Sequence, residues 1–84
     1  MSAVPVAHEW IVLRHVLADL RARREAQGLS REALARRLGI KPSYLGAIER
    51  CEADPRYTLL ADMTRELGTT IGDVFIRAES IAQQ

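Results

Sequence analysis

The chain carries a single cysteine, Cys51, among its 84 residues, which excludes an internal disulfide framework. No cluster of cysteine and histidine has the spacing of a zinc site, and no glycine pattern of a phosphate-binding loop is present, so neither a metal nor a cofactor is expected. No apolar run approaches the roughly 18 residues of a membrane-spanning helix. Residues 1–12 lack the basic start of a signal peptide, so the expected location is cytoplasmic and off the membrane. Catalytic groupings are also scarce. Ser30, His15 and Asp19 have the residue types of a triad, but His15 and Asp19 fall on one helix and no oxyanion motif accompanies them. A chain this short buries roughly 60–65% of its unfolded surface, too little for a deep substrate cavity. An enzyme is therefore not expected.

Aromatic residues make up 5% of the chain, whereas 48% is apolar, and most of that is carried by twelve alanines and ten leucines. That composition favours helices over a sandwich or barrel. The net charge of +1 conceals an asymmetry: residues 14–50 hold nine bases against four acids, and residues 51–84 hold three bases against six. A basic middle on a nearly neutral chain is an electrostatic footprint for an anionic partner. Eleven of the twelve bases are arginine, which suits bidentate contacts to phosphate or guanine.

Punctuation divides the chain into about five short helices, with roughly the first five and last six residues loose. Ile11, Leu13, Val16, Leu17 and Leu20 recur at helical spacing from about Ala7 to Gln27, and Gly28 supplies a left-handed stop. Ser30 stands where an N-cap is needed, with Glu32 in the first turn. Leu34, Ala35 and Leu38 form the inner stripe of a second helix that Gly39 ends. Pro42 fits the first position of a third helix, whose inner residues are Leu45 and Ile48. A loop over residues 51–55 leads to a fourth helix bearing Leu59, Leu60, Met63 and Leu67, stopped by Gly68. Thr70 and Asp73 resemble a capping box that opens a fifth helix through Val74 and Phe75. The fold class is all-α.

Two short helices joined by a glycine-containing turn at about residues 31–50 read as a helix-turn-helix. The steep crossing needs a small residue, Ala35, and the turn needs one tolerant of positive φ, Gly39. An ordinary helical hairpin would share this spacing.

Residues 28–50, together with Asp54-Pro55, Leu59-Leu60, Glu66-Leu67-Gly68 and Asp73-Val74-Phe75, resemble the Cro/C1 repressor-like (Xre-type) helix-turn-helix family. The resemblance covers about residues 16–76, and residues 1–84 are expected to form one domain. It implies a compact five-helix, lambda-repressor-like DNA-binding domain, here with a lengthened first helix. It further implies a homodimer on an inverted repeat in double-stranded DNA, acting as a transcriptional regulator. Carried over residue by residue, it makes Ser30 and Arg31 phosphate contacts at the start of the second helix. Lys41, Pro42, Ser43, Tyr44 and Ala47 fall on the DNA-facing side of the third, and Arg56 near the adjacent backbone or minor groove. Arg24 and Glu49 match a pair that the family buries as a salt bridge.

Four departures bear on function. Arg31 stands where the family has glutamine, which makes that contact ionic. Pro42, Gly46 and Ala47 replace long polar side chains, so direct base readout is thin. The sequence is then read partly through DNA shape, or the module is a protein-interaction domain that has lost DNA binding; the basic middle favours the first. Cys51 replaces the usual glycine after the recognition helix, a substitution tolerated at a strained cap rather than a redox switch. Trp10, Leu13 and Leu17 lengthen the first helix and serve either as extra core or as a dimer surface, while Phe75, Ile76 and Ile81 form a second candidate interface. His8 and His15 read as surface histidines. A chain of this length leaves no room for an effector domain, and no small-molecule effector is evident. Control is expected through concentration, dimerisation or a protein partner, as in restriction–modification controllers, phage Cro-like repressors or antitoxin-type regulators.

Overall fold

The computed structural model describes residues 8–84, so the expected loose start and the first residue of the first expected helix, Ala7, lie outside it. Five helices follow one another: α1 (His8–Ala26), α2 (Arg31–Leu38), α3 (Pro42–Glu49), α4 (Tyr57–Glu66) and α5 (Ile71–Ala82). Among the described residues there is no strand, and no helix is long and apolar enough to cross a membrane.

Side-chain caps set two of the helix starts. The Ser30 hydroxyl accepts from the Ala33 N–H at 3.0 Å, and Thr70 Oγ1 accepts from the Asp73 N–H at 3.1 Å. Each satisfies an orphan donor of a first turn and contributes about 1 kcal/mol. At the α2–α3 turn Gly39 takes φ +70, its N–H donates to the Arg36 carbonyl, and the Ile40 N–H reaches back to Ala35 at 3.0 Å. A Cβ at Gly39 would meet nothing within 4 Å, so the requirement is conformational rather than spatial.

The core is shared by all five helices. Val16, Leu34, Ala35, Leu45, Ile48 and Val74 are fully buried, with Leu17, Leu20, Met63 and Leu67 at 1% exposure. α1 packs along α5 and meets α3, α2 packs against α3 and α4, and α4 returns to α5. The apolar stripe that lengthens α1 divides in the folded chain. Leu17 enters the core, Leu13 packs at its edge, and Trp10 remains 39% exposed. Val12, which the spacing argument passed over, is 4% exposed and continues the Val16–Leu20 stripe.

One expectation fails. The last six residues are not all loose, because α5 runs twelve residues to Ala82. Ala78 is buried and Ala82 packs against the core. The stretch is rich in helix formers, Ala78, Glu79 and Ala82, and contact with α1 adds the packing that keeps it helical to its end.

Cys51 has φ +62, the left-handed conformation that glycine takes at no cost. Its N–H donates to Ile48 at 2.9 Å and the next N–H, of Glu52, to Ala47 at 2.8 Å, which closes the end of α3. The left-handed state costs an L-residue about 1–2 kcal/mol, and a new glycine returns about 0.4–1 kcal/mol of that as unfolded-state freedom. Cys51→Gly should therefore gain about 0.5–1 kcal/mol and raise the melting temperature by several degrees. An unchanged or lower midpoint in a thermal scan would remove strain from the account.

Candidate nucleic-acid interface

The position of α3 is set by one carboxylate. Glu49, the last residue of α3, has a side chain only 2% exposed and receives two arginines from two other helices. Arg24 of α1 donates through Nε at 2.7 Å and Nη2 at 3.2 Å, and its Nη1 holds the Leu29 carbonyl of the α1–α2 turn at 2.9 Å. Arg31, the first residue of α2, donates its Nε to Glu49 at 3.1 Å. Burial raises the Glu49 pKa, but the hydrogen bonds and charges of Arg24 and Arg31 outweigh it and hold the carboxyl below its ordinary range. Three helices and a turn are thereby pinned to one point.

With α3 fixed, helical periodicity decides what it presents. Leu45 and Ile48 point into the core, and at about 100° per residue the opposite face centres on Ser43, Ala47 and Arg50. Pro42 and Gly46 lie toward α2, where a Cβ on Gly46 would stand 3.5 Å from Arg31 Cδ. Tyr44 lies on the other side, in a cleft of about 410 Å³ with Ile40, Arg56, Thr58, Leu59 and Asp62. Lys41, Pro42, Ser43 and Tyr44 are exposed and Ala47 is half-buried.

The remaining expected site residues lie around this face. Lys41 is the N-cap residue of α3 and makes no side-chain cap bond, and Arg56 is the exposed N-cap residue of α4. Ser30 uses its oxygen as the α2 cap, and its hydroxyl proton remains available as a donor. Arg31 differs most from expectation. Its Nε is engaged by Glu49 and its side chain is 34% exposed, so it also holds α3 in place.

Arg50 was not singled out from the sequence. Its guanidinium folds back over Gly46, with Nη1 3.1 Å from where a Cβ would sit, and Nη2 lies 3.1 Å from Glu52 Oε1. A cation thus stands over the middle of α3 where position 46 supplies no side chain. The only signal in the sequence is an arginine four residues after a helical glycine. A second network joins α1 and α5: Asp19 pairs with Arg77 at 2.8 Å and with Arg23 at 3.1 Å. His8 lies 3.6 Å from Glu79, and His15 is half-buried on α1. Among the described residues no three metal-ligating side chains converge.

The sequence matches the helix-turn-helix family model over residues 20–74. The chain belongs to this family. It is 39% identical over 57 residues to the HTH-type transcriptional regulator y4dL of Sinorhizobium fredii (strain NBRC 101917 / NGR234), a match that takes in 68% of this chain and 29% of y4dL. Two solved structures of the clp gene regulator ClgR from Corynebacterium glutamicum are similar. One superposes with a TM-score of 0.74 at 33% identity, covering 84% of this chain and 77% of that one. The other gives 0.71 at 31% identity, covering 95% and 96%. The five-helix fold, with α2 and α3 as its helix-turn-helix, is therefore that of DNA-binding transcription regulators.

Proposed function

We propose that the chain is a sequence-specific DNA-binding transcriptional regulator that works in the cytoplasm as a homodimer on an inverted-repeat operator. α3 enters the major groove with Lys41, Pro42, Ser43, Tyr44 and Ala47 toward the bases and backbone. Ser30 and Arg31 meet phosphates at the start of α2, and Arg56 meets the neighbouring backbone. The observation that carries this reading is the exposed run from Lys41 to Tyr44, with the half-buried Ala47 one turn on, on a helix anchored through Glu49 and beside the basic start of α2. The likeness to ClgR, itself named a gene regulator, supports the transcriptional role. One α3 offers too small a contact for typical specific affinity, which supports two copies about 34 Å apart along the duplex. Ile76, 70% exposed on the outer side of α5, favours that helix as the dimer face.

The test separates the two cationic contacts. Phosphate contacts position a protein without reading sequence, whereas groove contacts discriminate. Arg31→Ala should weaken binding to every duplex alike and lower the salt slope by about one. Lys41→Ala should cost about 1–3 kcal/mol on a selected site and much less on unrelated DNA. Salt titrations of both variants on both duplexes measure this. Equal losses for Lys41→Ala would make it a phosphate contact, and wild-type protein that binds no duplex would favour the protein-interaction module.

A further inference from the structure

We infer that α3 reads thymine through its 5-methyl group, with the Pro42 ring and the Ala47 methyl as the specificity-determining contacts; this rests on the DNA-binding reading above. Between Pro42, exposed on the side toward α2, and Ala47, half-buried at the centre of the outward face, α3 carries two polar side-chain groups, the hydroxyls of Ser43 and Tyr44, and Tyr44 lies on the cleft side. Gly46 adds nothing, Ala47 adds one methyl, and Pro42 adds a ring that can neither donate nor accept. The long donors lie beyond this stretch, Lys41 at its start and Arg50 folded over Gly46.

The major-groove edges of the bases select among partners for such a face. Guanine, adenine and cytosine present donors and acceptors, and only thymine adds an apolar group. A purine edge pressed against Pro42 or Ala47 would lose its water without gaining a hydrogen bond, a net loss. A thymine methyl in the same place exchanges water for apolar contact, a gain. Pro42 and Ala47 are five residues apart, about 7.5 Å along the helix and about 140° around it, so the two thymines they meet should lie on different base pairs.

The experiment alters the DNA, which leaves the folding of the protein untouched. Wild-type protein is titrated against its selected duplex and against the same duplex with each thymine in turn replaced by uracil, which lacks only the methyl. Binding should weaken roughly three- to fivefold at one or two positions in each half-site, the loss expected from one methyl taken out of apolar contact. In Ala47→Gly the uracil penalty should vanish at one of those positions and persist at the other. Unchanged binding to the fully uracil-substituted duplex overturns the inference and leaves the DNA-binding reading standing. A selected site with no thymine in the sensitive steps does the same. Failure to bind any duplex overturns both.

Discussion

Glu49→Gln should lower the unfolding free energy by about 3–5 kcal/mol, because it removes the only carboxylate hydrogen-bonded to both Arg24 and Arg31. The Arg24 side chain is 7% exposed, so its charge would remain buried with only the exposed Glu25, 3.9 Å away, as a counter-charge. Small domains hold about 5–15 kcal/mol in total, so a large part of the stability rests on this one group. Arg31→Ala should cost much less, since that side chain is a third exposed and water can replace it. The same pair gives a pH dependence. Glu49 has its folded pKa depressed, so the folded state binds fewer protons than the unfolded one. Its stabilisation is fully present above the unfolded value of about 4.3 and is lost as pH falls through the lower, folded pKa. Urea denaturation of wild type and Glu49→Gln from neutral pH downward should therefore show a gap that narrows in acid. A constant gap would mean that the Glu49 carboxyl is not held ionised by its two arginines.

Ile76→Glu should leave the fold intact and lower affinity for a two-half-site operator by at least about a hundredfold. The residue is 70% exposed, so the substitution changes the stability of the folded chain little. In the dimer proposed above, with α5 as its self-complementary face, a charge at position 76 would meet its own copy across the two-fold axis, where like charges repel. Losing the linkage between two reading helices removes the avidity that joins weak half-site contacts, commonly a factor of about 10²–10⁴. Sedimentation at micromolar concentration should give a monomer, and a gel-shift titration should show the lost affinity. If Trp10→Glu rather than Ile76→Glu gives the monomer, the dimer forms on α1.

Local signals explain why most of the frame was legible in the sequence. Ser30 and Thr70 cap because their hydroxyls sit one turn from unsatisfied N–H groups, and Gly39 turns the chain because positive φ is cheap only there. These signals lie within a few residues of what they specify. The end of α5 was not legible although Ala78 and Ala82 are strong helix formers, because small side chains among polar ones carry no apolar stripe that marks the packing on the core. The site divides in the same way. The Arg24–Glu49 bridge followed from family resemblance, and the folded chain forms it at 2.7 Å. That Arg31 would share the carboxylate depends on how α2 meets α3 in three dimensions and is not encoded in local spacing. Arg50 and Gly46 stand one helical turn apart at the end of α3, and that spacing alone does not say that the guanidinium folds back. The left-handed Cys51 lies between these cases: glycine is the family's usual residue there, and its absence from the sequence points to the strain that φ +62 carries.

Selection from a random duplex pool decides whether α3, fixed by the Glu49 clamp, reads double-stranded DNA. Pool binding should enrich an inverted repeat whose half-site centres lie about 34 Å apart, with affinity that falls steeply as salt rises. Recovery of no enriched sequence, together with no salt-dependent binding to any duplex at low ionic strength, would contradict that reading.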